Sequence, residues 1–333
     1  MNDLRRRAIA AAAALIALAI GLLLMPVPAG GRFYSSLGDL FHTPLFFGLT
    51  IITLLLLEKV KPAGQNRRRV LSRCWILGLS LFVFGVGMEL VQHFAGRTAA
   101  IHDAVANGMG VLIGASTFLL IKRDVVWPGN RHVKRWFVGA VLAALVVAWS
   151  GPIVMLIDHQ KMRSEFPMLS SFDSKAEISR WYFRESSAKL TESGATDGSY
   201  AMLVTFPQDQ SSVTLVEMNA DWTDVESLQM DLLFPGRPDG QQAIDGQEPE
   251  ELMVLLSVVD RHHKNYVTDL FEKPWTLRRG KVEHITITRD EILSGPRDRE
   301  MDLSQIRYVT VGLKDRAAPV EIIIDAVRLT LRD

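Results

Sequence analysis

The stretch GMELVQHFAGRTAAIHDAVANGMGVLIGA, residues 87–115, decides how the first half of this chain is read. In it an acid, an amide, a histidine, a guanidinium and a second acid interrupt sequence that is otherwise apolar enough for a membrane. Spacings of three and four residues put Glu89, Gln92 and His93 on one helix face, and Asp103 and Asn107 on one face of the next helix. A short turn around Gly96 and Arg97 brings the two polar faces together. A charge in hydrocarbon costs roughly 2.5 to 3.5 kcal/mol on insertion scales, so a chain that keeps several of them satisfies them mutually or uses them.

Working outward, five apolar runs of spanning or near-spanning length occupy 8–25, 40–57, 75–91, 104–121 and 136–157. Basic residues alternate sharply between the connecting segments. Arg5, Arg6 and Arg7 precede the first run; Lys59, Lys61, Arg67, Arg68, Arg69 and Arg73 follow the second; Lys122, Arg123, Arg131, Lys134 and Arg135 follow the fourth. The opposite short loops hold only Arg32 and Arg97. Positive charge stays inside, which predicts an integral inner-membrane protein with a cytoplasmic amino terminus and an extracytoplasmic carboxyl half. Three arginines ahead of a run ending in VPAG imitate a secretory leader, but at eighteen residues the run reads as a retained signal anchor. The resulting division is 1–160, an all-α bundle of five transmembrane helices, and 161–333, an exported domain. With 37 basic and 37 acidic residues the net charge is zero, which argues against a nucleic-acid partner. The single cysteine, Cys74, excludes an intramolecular disulfide or a cysteine zinc cluster.

This topology puts Glu89, Gln92, His93, Arg97, Asp103 and Asn107 near the outer surface, where Asp39 and His42 at the start of the second run join them. One outward-facing pocket is the economical reading. Each member also has a structural role open to it. Glu89 can pair with Arg97 or His93, Asp103 can cap the fourth helix, and Arg97 can reach lipid headgroups. Asn107 can bond another helix. His93 and His42 can join Glu89 and Asp103 around a metal, but the E-x-x-x-H spacing of Glu89 and His93 alone is a weak signal, so neither metal nor cofactor is expected. Gly110 and Gly114, with Ala106 one turn earlier, form a small-residue stripe for close helix packing; Gly85 and Gly87 in the third helix offer a similar approach.

The pattern ELVQHFAGR followed by DAVANGMGVLIGA resembles the signature of the VanZ-like family of small integral membrane proteins. The matching positions are Glu89, Gln92, Arg97, Asp103, Asn107, Gly110 and Gly114, within a region of about 15–121. GDLFHTPLFFG keeps His42 but lacks the family's lysine and has Phe46 where an aromatic hydroxyl is usual, which leaves the role of Asp39 open. The resemblance implies a bacterial envelope protein associated with low-level resistance to the glycopeptide teicoplanin, and no agreed reaction.

After residue 157 the apolar period changes to two. YAMLVTF, SVTLVEM, SLQMDLLF, LMVLLSVVD, VEHITIT, IRYVTVGL and VEIIIDAVRLTL read as strands, and turn-forming residues fill 235–249. Eight or nine strands without long helices predict an antiparallel β-sandwich, with DEILSG as one helical turn and residues from about 168 onward self-contained. FDSKAEISRWYF, TDGSYAMLVTF, DWTDVESLQMDLLFP, the W-x-L-x-x-G at Trp275, DLSQIRYVTVGL and IIIDAVRL together resemble galactose-binding-like jelly-roll sandwiches of carbohydrate-binding modules. In such domains aromatic faces hold sugars, a role the resemblance offers to Trp181, Tyr266 or Trp275, while Trp222 in the DWT turn reads as core. Asp173, Asp197 and Asp325 lack the compact oxygen-rich loop of a calcium site.

Three functions follow as expectations. The first is an envelope protein displaying a domain for glycan or lipid-linked glycan, with membrane lipid as its surroundings. The second is an intramembrane enzyme on a lipid-linked precursor, with Glu89 or Asp103 as acid or base and Arg97 on a phosphate. The third is a structural anchor whose polar cluster locks the helices.

Overall fold

A computed structural model describes all residues but 1, 26–30, 95–100, 129–130, 208–209, 237–249, 314–318 and 333. The backbone is also described at 2, 4, 31, 93, 101, 131 and 134, but their side chains are not. Arg97, the side chain of His93 and most of the turn-rich stretch 235–249 therefore lie outside the described residues. The chain forms two compact units, Met1–Leu156 and Ile157–Asp333.

In the first unit the apolar runs are the helices α1 (Asn2–Leu24), α2 (Gly31–Val60), α3 (Arg67–Phe94) and α4 (Ile101–Ile121), followed by a single turn, α5 (Arg123–Val126), and α6 (Arg131–Ser164). Five of these, all but α5, are long and apolar enough to cross a membrane. The centre is α4 laid along α2. Gly110 and Gly114 sit against the α2 backbone, so that a Cβ on Gly110 would fall 2.5 Å from Thr43 O and one on Gly114 2.7 Å from Thr50 Cβ. The third helix meets α4 through Gly85, one of the two glycines noted in its sequence, whose missing Cβ makes room for Asn107 Cβ and the Phe46 ring. Phe46, Leu49, Leu81, Met88 and Val111 fill the space between the three helices, with Ala19 and Leu23 of α1 added.

Polar side chains mark both ends of this three-helix core. At one end Glu58 of α2 accepts from Arg73 Nη1 of α3 at 2.9 Å, Lys122 Nζ at 2.8 Å and Ala63 N at 3.0 Å. At the other end lies the cluster described below. The apolar window of the last span, Arg135–Ser164, buries no residue.

The second unit is a β-sandwich of two antiparallel sheets. One has the order β3 (Ser187–Thr191), β4 (Ala201–Phe206), β11 (Val320–Leu331), β6 (Val225–Leu233), β9 (Val282–Thr288), with β1 (Met168–Ser170) paired beside β11. The other runs β2 (Trp181–Arg184), β5 (Ser212–Leu215), β10 (Ile306–Leu313), β7 (Glu251–Asp260), β8 (Phe271–Arg278). Alternate residues of every long strand point into one core that holds Trp222, Met202, Phe206, Val254, Leu256, Val311 and Ile324. Eleven strands are described; the segments quoted above as strands lack β8, of which only the W-x-L-x-x-G at Trp275 was noted, and β1, β2 and β3, which are three to five residues long and carry little periodicity. The DEILSG turn is the helix Arg289–Leu293, opened by a reciprocal cap between Thr288 and Glu291.

The core of this unit takes in the end of α6. Arg180, 1% exposed, grips Asp158 with two bonds, Nη2 to Oδ1 at 2.7 Å and Nε to Oδ2 at 3.1 Å, and donates Nη1 to Leu169 O at 2.8 Å. Beside it Lys161 donates to Glu177 at 2.9 Å, and Glu177 Oε2 accepts from the backbone N–H groups of Ser171 and Phe172. The last turns of the helix thus belong to the sandwich.

Candidate functional sites

In the helical unit, three helices bring ionisable groups to one layer. His42 of α2, Glu89 of α3 and Asp103 of α4 are buried, and each offers a ligand-type atom within 4.8 Å of the others. Asn107 joins them: its Nδ2 donates to Glu89 Oε1 at 3.3 Å, which turns its Oδ1 toward His42 Nδ1 at 2.9 Å. With its Nδ2 directed at the carboxylate, the amide presents Oδ1 as an acceptor to His42 Nδ1. His102, on the first turn of α4, places Nε2 3.3 Å from Asp39 Oδ2 and 3.4 Å from Asp103 Oδ1.

Asp39, whose role the sequence left open, is thereby a member of the layer, and His102 is a member the sequence reading passed over. Its signal was adjacency to Asp103 in the turn that opens the fourth helix. Gln92 is buried but turned elsewhere, donating Nε2 to Leu23 O at 2.7 Å, so it ties α3 to α1. Thr43 Oγ1 donates to Ala106 O at 3.1 Å and locks α2 to α4 beside the cluster.

In the sandwich, the outward face of the five-stranded sheet forms a cleft of about 530 Å³. Alternation along the strands decides its lining: Tyr182 and Arg184 from β2, Ser212 and Thr214 from β5, Tyr308 and Thr310 from β10, Ser257 and Val259 from β7, and Glu272 from β8. Thr214 Oγ1 and Thr310 Oγ1 share a hydrogen bond of 3.0 Å across the floor. Tyr266, 72% exposed, overhangs from the loop 261–270, its ring edge-on to His263 with centroids 4.2 Å apart.

That loop is fastened at its base. Arg299 binds Asp260 through both Nη atoms and Asp269 through Nε at 2.7 Å, while Asp269 Oδ2 accepts from Lys264 N at 2.7 Å. Burial alone would push Asp260 up, but Arg299 and the N–H groups of Asp302 and His262 more than offset it and hold the carboxyl below its usual range. Asp269 shows the same balance of burial against Lys264 N–H and Arg299. The stability these depressed carboxylates give is present above the ordinary carboxylate range, near pH 4, and is lost as pH falls through their own lower values. Replacing Arg299 with glutamine should cost between the about 1 kcal/mol of an exposed pair and the about 3 to 5 of a buried one. It should also move acid unfolding of the sandwich to higher pH. A tyrosine-fluorescence titration from pH 7 to 2 measures both, and an unmoved acid midpoint would show that Arg299 does not set it.

Of the rings selected from sequence, only Tyr266 lies on the cleft. Trp181 is 3% exposed and faces the core, with Nε1 donating to Ser170 Oγ at 3.1 Å; its neighbour Tyr182, 59% exposed, takes the outer face. Trp275 shares the inward parity of Phe271 and Leu277, packs against the core and is covered by Lys273 Nζ at 4.8 Å. Neither tryptophan can offer a face to a ligand in the cleft. Strand parity was the signal that separates Tyr182 and Tyr308 from them. Trp222 is fully buried. Asp325 spends its carboxylate on the N–H groups of Thr196, Asp197 and Ala326, and Asp173 accepts from Ser199 N.

No protein-family model matches the sequence, and no curated protein matches it. Among solved structures, the chain is similar to a family 11 carbohydrate-binding module from Clostridium thermocellum, described in complex with a β-1,3-1,4-mixed-linked tetrasaccharide. The identity is 13%, over 49% of this chain and 93% of that one, with a TM-score of 0.37. An exo-β-agarase matches at 16% identity over 50% of this chain and 25% of its own, with a TM-score of 0.38. A xylan-binding domain of family 22 matches at 14% over 49% and 91%, with a TM-score of 0.32. The similarity is one of β-sandwich architecture.

Proposed function

We propose that this chain is an envelope membrane protein whose five long helices span the inner membrane and whose sandwich, on the extracytoplasmic side, binds glycan in the cleft of its five-stranded sheet. The observation that carries the reading is the cleft itself. Tyr182 and Tyr266 supply flat apolar faces for the C–H side of sugar rings, and Tyr308, with the Arg307 guanidinium 4.7 Å over its ring, adds an aromatic ring to the lining. Ser212, Thr214, Ser257 and Thr310 supply hydroxyls, and Arg184 and Glu272 supply charged donors and acceptors at the rims. The alternation of basic loops supports the orientation. The motif running from Glu89 to Gly114 supports a VanZ-like helical unit, and with it a contribution to glycopeptide resistance or envelope polysaccharide handling.

Two readouts test this. A reporter fused after Asp333 should be active only outside the cytoplasm. Calorimetry of the detergent-purified protein against a panel of neutral and acidic oligosaccharides, a β-1,3-1,4-linked tetrasaccharide and peptidoglycan fragments included, should find a binder. Tyr266→Ala or Tyr308→Ala should then weaken it by about tenfold each, about 1.4 kcal/mol. Cytoplasmic reporter activity, or binding indifferent to all three tyrosines, would remove the proposal. A second reading, an intramembrane enzyme on a lipid-linked precursor, is favoured by the His42–Asn107–Glu89 chain, which is how a proton-transferring imidazole is oriented.

A further inference from the structure

The buried cluster of the helical unit has a chemistry the glycan reading does not use. We infer that His42, Glu89 and Asp103 are ligands of a divalent transition cation of the zinc or manganese class, with Asp39 and His102 as a flanking pair. This is independent of what the sandwich binds. The donors come from three helices and converge: two overlapping sets, His42–Glu89–Asp103 and Asp39–His102–Asp103, each lie within 4.8 Å and share Asp103. Ligands on a tetrahedral ion with bonds of 2.0 to 2.1 Å are about 3.4 Å apart, so closing the first set takes side-chain shifts of about an ångström. Mixed imidazole and carboxylate donors suit these ions, whereas magnesium and calcium take oxygen alone.

Two further observations point to a cation. Asp103 is 6% exposed, and its Oδ1 makes no hydrogen bond among the described residues; its neighbours are His102 Nε2, 3.4 Å away, and the carboxyl group of Asp39. A buried carboxylate oxygen left so is costly unless something positive meets it. The second is the arrangement behind the ligands. Asn107 lies against both His42 Nδ1 and Glu89 Oε1, at 2.9 and 3.3 Å, and orients the imidazole and the carboxylate, as outer groups do around metal-bound histidines. Three protein ligands leave a position for water or an oxygen of a ligand.

The test is metal content of the full-length protein purified in detergent, by inductively coupled plasma mass spectrometry. About one zinc or manganese per chain is expected in the wild type, and less than about 0.1 in Glu89→Gln and Asp103→Asn. His284→Ala, which removes the exposed His284–Asp231 pair of the sandwich, should keep its metal. Since the cluster variants can fail to fold, the wild type also carries the test: chelator-stripped protein should gain about 5 °C in Tm when zinc chloride or manganese chloride is added back. X-ray absorption of the bound ion should show at least one imidazole beside carboxylate oxygens. A wild type with less than about 0.1 ion per chain and an unmoved Tm would make the cluster a hydrogen-bonded lock only. An all-oxygen shell, or metal lost from His284→Ala and kept in Asp103→Asn, would equally overturn the assignment.

Discussion

Arg180→Met should lower the stability of the sandwich by about 3 to 5 kcal/mol, the cost of removing one member of a buried ion pair. Arg180 and Asp158 are 1% and 2% exposed, and Glu177, 3.7 Å from Nη1, is fully buried. Methionine fills much of the volume but strips two carboxylates of their guanidinium and Leu169 O of its donor. For a unit of this size each kcal/mol moves Tm by about 2 to 4 °C, so a loss of about 6 to 20 °C is expected in the near-ultraviolet circular dichroism melt. A fragment beginning at residue 168 lacks Asp158 and Lys161 and should be similarly weakened against one beginning at 157. Equal melting of the two fragments would show that the pair contributes nothing net, as buried pairs sometimes do.

Gly110 carries the second large effect. Its Cβ would meet Thr43 O at 2.5 Å, Phe46 Cβ at 2.8 Å and Phe47 N at 3.0 Å, and two of those atoms are backbone. The helix axes must therefore part, which stretches the Thr43–Ala106 and His42–Asn107 bonds at the same time. Alanine should cost about 1 to 3 kcal/mol and valine more, enough to lower the amount of monodisperse protein recovered in detergent. Gly21 and Gly139, with nothing within 4 Å of an added Cβ, should accept alanine within about 0.5 kcal/mol. Size-exclusion recovery of the four variants side by side measures this, and full recovery of Gly110→Val would mean that α2 and α4 are not in contact in the folded protein.

The sequence made some of this legible and hid the rest for physical reasons. Run length and composition suffice for the helices, since a 20-residue apolar stretch has few other uses. Spacings of three and four put Asp103 and Asn107 on one face, and both are buried with Glu89 in the structure. Which helix packs on the Gly110–Gly114 stripe is a tertiary matter that no local spacing encodes, so α2 could not be preferred to α3. Asp39 and His102 come together only because α2 and α4 adjoin. In the sandwich, the resemblance offers Trp181 and Trp275 only as aromatic rings, while the pleat decides which face a ring takes. WYFR and IRYVTVG already place Tyr182, Tyr308 and Thr310 at outward positions once Phe183, Val309 and Val311 are taken as core.

The two polar ends of the helical core set a length. His42 and Glu58 are sixteen residues apart on α2, about 24 Å of helical rise. In the proposed membrane placement, a typical hydrocarbon slab of about 30 Å would exceed this length by some 6 Å and would thin or let headgroups and water dip toward both layers. Mismatch of this size costs fractions of a kcal/mol per ångström, which makes lipid chain length a variable that acts on the His42–Glu89–Asp103 layer and the Glu58 layer at once. Short-chain lipids would relax both; long-chain lipids would press acyl chains against a buried cluster of carboxylates.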